Sequence, residues 1–168
     1  MTPSTKSKGL TVQRLPEAEV PAEMKNPNRI VLAGYNNPEM FKGFASLSGR
    51  VHSASRLSDR VREILVLRTL YRVGSSYQCT LHEPVALKAG VTTDELEALK
   101  VADFEVFSAA EIAALNFCEA ADGVDTTDEL WAKTVAHWSP QEISDMVMLA
   151  GFYAMAGRYL LAMGIVAE

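Results

Sequence analysis

Cysteine is scarce in this chain: Cys79 and Cys118 are the two in 168 residues, and they stand 39 positions apart. That excludes a disulfide framework. Without paired cysteines, His-x-x-x-His or His-Glu-x-x-His, the sequence also offers no metal constellation. Basic residues are outnumbered, 16 Lys and Arg against 21 Asp and Glu, for a net charge of −5. No basic stripe or cluster occurs, so no nucleic acid partner is expected. Long apolar runs are missing too. The longest uncharged stretch, Met146 to Gly157, has twelve residues, where a bilayer span needs about 20. Thr2 to Thr11 is polar and basic and lacks the apolar core of an export signal. Glycine-rich phosphate loops are absent, since Gly151 and Gly157 lie within the apolar C-terminal stretch. From these absences we expect a reduced, cytoplasmic protein without a membrane partner, using no metal and no cofactor.

What the chain does have is apolar bulk and helix punctuation. Hydrophobic residues make up 48% and charged residues 22%, enough to bury the core of one domain of ordinary size. Residues 1–26 carry Pro3, Pro16 and Pro21 with little periodicity, and read as an extended tail ahead of a single domain over 27–168. Asn37-Pro38-Glu39 reads as an N-cap with proline at the first helical position. Capping boxes are expected at Thr92 to Glu95, Ser108 to Glu111, Thr126 to Glu129 and Ser139 to Glu142. Gly74, Gly90, Gly123 and Gly164 read as stops. Between these marks apolar residues recur at helical spacing, as in Val61, Ile64, Leu65 and Leu67, Leu70, Tyr71. Sustained period-two alternation is absent. The expected class is therefore all-α, with about seven or eight helices. Met146 to Gly157 is apolar on every side, so that helix must be buried, and a subunit interface would cover its second face.

One stretch concentrates chemistry. Glu63 lies among aliphatics in Arg62-Glu63-Ile64-Leu65-Val66-Leu67-Arg68. Desolvation there would favour its protonated form unless a cation or donor compensates. On the following helix, Ser75, Gln78, Cys79 and His82 recur at spacings of three and four, expected to share one face. Imidazole suits proton transfer near neutrality, and a thiol beside imidazolium becomes more nucleophilic. Each residue also has a bland reading. Glu63 would pair with an arginine on a helix surface, His82 would be a hydrogen-bonded structural residue, and Cys79 would be inert packing. His52, between Val51 and Ser53, and His137, before Trp138, are weaker candidates.

The segments Arg62 to Arg68, Ser76-Tyr77-Gln78-Cys79-Thr80-Leu81-His82-Glu83 and Ala89-Gly90-Val91-Thr92 together resemble the carboxymuconolactone decarboxylase family, which includes the alkylhydroperoxidase D proteins. Trp138-Ser139 to Asp145 and Gly151-Phe152-Tyr153-Ala154-Met155 resemble its long C-terminal helix, so the likeness covers roughly 37–166. It implies an all-α fold and a homo-oligomer, commonly a trimer or hexamer, with sites near subunit contacts. The redox branch carries a relay Glu, a Cys-x-x-Cys pair and a His. Glu63 and His82 match the relay Glu and the His at the same separation, whereas Ser75 and Gln78 stand at the cysteine positions. Cys79 falls one residue out of register, where the decarboxylase-like branch has Trp in a Tyr-Glu-Trp-x-x-His pattern; the acidic residue of that pattern is replaced by Gln78.

Three functions follow as expectations. The first is a cofactor-free lyase or proton-transfer enzyme acting on a small organic acid, lactone or enolisable carbonyl compound. In it His82 is the acid/base and Glu63 orients it, while Gln78, Arg68, Tyr77 and Ser75 contact the substrate. The second is a single-cysteine peroxidase-like antioxidant protein using Cys79. The third is a non-catalytic oligomeric binder.

Overall fold

The computed structural model describes residues 18–22, 24–25 and 27–167. Most of the tail expected over 1–26 lies outside those residues. Among the described residues there are eight helices and no strand. They are α1 (Arg29–Gly34), α2 (Pro38–Ser53), α3 (Asp59–Val73), α4 (Ser76–Lys88), α5 (Thr93–Val101), α6 (Ala109–Gly123), α7 (Asp128–Val135) and α8 (Pro140–Ala162).

Most helix starts follow the local code. Thr92, Ser108 and Ser139 each form a reciprocal capping box with Glu95, Glu111 and Glu142, satisfying backbone donors that the first turn leaves open. Asn37 accepts from the Met40 amide, with Pro38 at the first helical position. One cap differs by a residue. The box expected from Thr126 to Glu129 does not form; Thr127 is the cap and accepts from the Leu130 amide. The end of α6 differs as well. Gly123 stays helical, and Val124 takes the left-handed turn at φ 56°, a conformation that costs a β-branched residue some strain.

The centre of the molecule is α3 against α8, with α4 folded back along α3. On α3, Ile64, Leu65, Val66, Leu67 and Leu70 are at most 2% exposed, because α4, α5, α6 and α8 all pack on it. Burying one such side chain contributes about 1.5–3 kcal/mol, so the run from Val61 to Leu70 anchors the fold. The charged residues of α3 then act as braces. Arg60 donates to Glu111 at 2.8 Å, to Glu95 and to the Gly90 carbonyl, tying α3 to α5 and α6. The close approach of α8 to the α3–α4 junction depends on Gly157, where a Cβ would come within 3.0 Å of the Val73 side chain and 3.2 Å of Ser75.

On its inner side α8 buries Met146, Leu149, Phe152, Tyr153, Ala156 and Leu160. Its outer side leaves Val147, Met148, Gly151 and Met155 exposed in the isolated chain, with Met148 at 55%. The all-round apolar helix is thus covered on one side only. Among the described residues, no helix is long and apolar enough to cross a membrane.

Candidate functional site

The α3–α4 hairpin creates the site. Gly74 ends α3 at φ 82°, a left-handed conformation that glycine adopts freely, and Ser75 directly behind it is the N-terminal cap residue of α4. The short reversal runs α4 back along α3, so that residues 19 apart meet: His82 Nδ1 lies 2.8 Å from Glu63 Oε2. Glu63 is 1% exposed. An ionised carboxylate at such depth needs partners, and it has two. His82 is one, and the other is Arg62, whose Nε sits 4.0 Å from Glu63 Oε1. The Arg62 guanidinium also reaches Asp59 through Nη2 at 2.7 Å, while its buried Nε has no hydrogen-bond partner.

With Nδ1–H donated to Glu63, the His82 Nε2 is left as the free basic nitrogen; the carboxylate selects the tautomer. The ring is held edge-on against Tyr153 of α8, with centroids 4.9 Å apart and planes at 88°. Behind them, His52 Nε2 lies 2.6 Å from the Tyr153 hydroxyl. Burial, reinforced by the charge of Arg62 and only partly offset by Glu63, holds His52 below the ordinary imidazole range, which favours the neutral ring. Burial likewise raises the Tyr153 phenol, and the Glu63 charge adds to it. Glu63, His82, Tyr153 and His52 thus form one connected polar group drawn from α3, α4, α8 and α2.

His82 and Tyr153 open onto a cavity of about 250 Å³ walled by α1, α2, α4 and α8. Its apolar wall includes Ile30, Val31, Phe41, Phe44, Leu81 and Phe152; its polar wall adds Asn28, Ser48 and Gln78. The Gln78 carbonyl oxygen accepts from Ser75 Oγ at 3.0 Å, which leaves its amide protons as donors.

The other residues named from sequence lie elsewhere. Cys79 does not share the His82 face; it joins the main core at 9% exposure. At about 100° per residue, Cys79 sits about 60° round the helix from His82 and about 100° from Gln78, enough to turn it inward. Burial, with the nearby Glu83 charge, pushes its thiol up to about 12, opposite to the expected activation. Arg68 is not at the cavity either. It binds Glu119, donates to the Leu99 carbonyl at 2.8 Å and covers the Phe104 ring. Tyr77 packs in a separate cluster with Ala33, Leu160 and Ile165, beneath the Arg29 guanidinium. Ser75 is fully buried and contributes by holding Gln78. The reading from sequence passed over Tyr153 and ranked His52 low. The available signal was a tyrosine within the uncharged stretch from Met146 to Gly157, whose hydroxyl must find a partner when buried. Among the described residues, no cluster of His, Cys, Asp and Glu could hold a metal ion.

Residues 38–120, from the start of α2 into α6, match the carboxymuconolactone decarboxylase family. Over that stretch, which holds both Glu63 and His82, the chain belongs to the carboxymuconolactone decarboxylase family. The fold is that of its alkylhydroperoxidase D-like members. A crystal structure from Agrobacterium tumefaciens, of a protein of unknown function described as a candidate antioxidant defence protein AhpD, matches with a TM-score of 0.70 and 21% identity. The match covers 76% of this chain and 89% of that one. No curated protein matches the sequence. At the two positions where the redox branch of the family carries its dithiol, this chain has a hydroxyl and an amide already bonded to each other at 3.0 Å.

Proposed function

We propose that the chain is a cofactor-independent acid–base enzyme in which His82 moves a proton on a small carbonyl compound bound in the α1–α2–α4–α8 cavity. The observation that carries the reading is the 2.8 Å contact between His82 Nδ1 and the buried Glu63 carboxylate, made by a ring that itself lines the cavity.

In this mechanism His82 Nε2 takes a proton from the carbon next to the substrate carbonyl. The C–H electron pair moves into the carbon–carbon bond and the carbonyl becomes an enolate. The charge developing on its oxygen accepts hydrogen bonds from the Gln78 amide. The imidazolium is stabilised by Glu63, because protonation turns a bond with one charged partner into one between opposite charges. Returning the proton to the same carbon gives exchange, and returning it to a conjugated carbon gives isomerisation. Acid–base assistance of this kind is worth about 100- to 10,000-fold in rate.

The peroxidase reading is less well supported, because it asks for a reactive thiolate. Cys79 is buried and its thiol is pushed up to about 12; Cys118 is buried as well. A purely binding role predicts occupancy without exchange. We also propose that copies of the chain associate through the outer stripe of α8, since Met148 and Met155 present apolar surface there.

The test is deuterium incorporation from deuterium oxide into unsaturated lactones and β-diketones, followed by proton NMR. Exchange that disappears in His82→Gln, with unchanged thermal unfolding, supports the mechanism. Full exchange in that variant removes it, and binding without exchange assigns the site to a ligand binder.

A further inference from the structure

We propose that the cavity takes a neutral substrate, an unsaturated lactone or ketone with one polar end and an apolar body, and rejects organic acids. The inference rests on reading this cavity as the reaction site.

The first support is the lining. Among the described residues, no Lys or Arg contributes to the cavity wall. Three of the five polar lining residues, Gln78, His82 and Tyr153, come from α4 and α8, and Ser48 and Asn28 come from α2 and the cap of α1; the rest is aromatic and aliphatic surface. A carboxylate there would give up its water without meeting a cation, which the interior of a protein strongly disfavours.

The second support is where the cations have gone. Arg62, the one beside the site, is not among the lining residues; its Nε faces Glu63 at 4.0 Å and its Nη2 goes to Asp59. Arg68 is bound to Glu119 and to the Leu99 carbonyl. Arg29, next to the lining residue Ile30, donates to the Val166 carbonyl at 2.8 Å and lies over the Tyr77 ring. Arg50 of α2 faces the separate groove between α2 and α8. The charge closest to His82 is the Glu63 carboxylate, which repels an anion.

The third support is size. A cavity of about 250 Å³ holds roughly eight waters at about 30 Å³ each, room for one ring with a short substituent. Such a molecule can bring one carbonyl to the Gln78 amide and lay its carbon skeleton on Phe41, Phe44 and Phe152. Decarboxylation requires a carboxylate on the substrate. The same surroundings therefore favour enolisation or double-bond migration over loss of carbon dioxide.

The experiment uses a matched pair: a butenolide bearing a carboxymethyl group, and its methyl ester. Binding of each to the full chain is measured by calorimetry and by saturation-transfer NMR at neutral pH, in the wild type and in His82→Gln, where no turnover obscures the reading. The ester should bind at least about tenfold more tightly than the acid. A cation introduced at the rim by Leu81→Arg, where the side chain is 44% exposed, should reduce or invert that preference. Equal or tighter binding of the acid to the wild type overturns the proposal, as does failure of both to bind. Ester preference without deuterium exchange would leave the proposal standing and remove the proton-transfer reading instead.

Discussion

Replacing Glu63 by Gln separates the charge at that position from its shape. The amide fits the same space and its oxygen can still accept from His82 Nδ1, which now lies 2.8 Å from Oε2. What is lost is the negative charge facing the imidazolium. A hydrogen bond to a charged group contributes about 1.5–3 kcal/mol, and a neutral one about 0.5–1.5. The substitution therefore weakens the protonated intermediate by about 1–2 kcal/mol, and at 1.36 kcal/mol per tenfold this lowers the exchange rate by about 5- to 30-fold. The loss should appear in kcat with KM unchanged, because Glu63 lies behind His82 and outside the cavity lining. Gln is preferable to Ala here. Breaking a buried pair outright costs about 3–5 kcal/mol, and Glu63→Ala would strand Arg62, whose Nε already has no hydrogen-bond partner. The assay is deuterium incorporation into α-angelica lactone at several concentrations, beside a thermal melt of each protein. A Glu63→Gln protein that folds as the wild type does and exchanges at the wild-type rate would refute the argument that the carboxylate drives the imidazole.

Tyr153→Phe should destabilise the chain by about 1–3 kcal/mol, since it strips His52 Nε2 of the hydroxyl 2.6 Å away in a partly buried setting; urea denaturation reads this, and an unchanged midpoint would count against the bond. Arg60 holds the Glu95 carboxyl below its ordinary value of 4.5, against an opposing contribution from burial. Between the depressed folded value and 4.5 the unfolded chain binds the proton more readily. That contribution is therefore fully present above the ordinary value and is lost as pH falls through the folded one; Arg60→Gln should flatten the acid slope of a urea-midpoint profile. Both thiols are pushed up to about 12 by burial, so iodoacetamide at neutral pH should modify neither Cys79 nor Cys118 until the chain unfolds; rapid, selective labelling of Cys79 would revive the peroxidase reading. Met148→Glu, at 55% exposure on the outer face of α8, should shift sedimentation toward smaller species without lowering the melting temperature of the dissociated chain.

The helices and most of their ends were legible in the chain because they are local. A serine or threonine cap and a glutamate three residues on satisfy each other's backbone donors whatever lies around them, and three of the four expected boxes formed. The fourth shifted because Thr126 and Thr127 are adjacent and either can cap; only Thr127 does. Glu63 and His82 could be singled out because an acid amid aliphatics and a histidine on the next helix match a known family pattern.

What sequence alone determined, then, is the all-helical class, the boundaries set by caps, and the acid and imidazole worth watching. The tertiary structure alone decided which side chains share a cavity. Arg68 finds Glu119 at a distance of 51 residues and is withdrawn from the site; His52 finds Tyr153 across 101 and is drawn in. Cys79 differs from Gln78 by one position, yet packing turns one into the core and the other toward the cavity. Capping and periodicity are fixed by neighbours within a turn or two, whereas the face a helix presents to a pocket depends on how distant helices compete to bury their apolar surface.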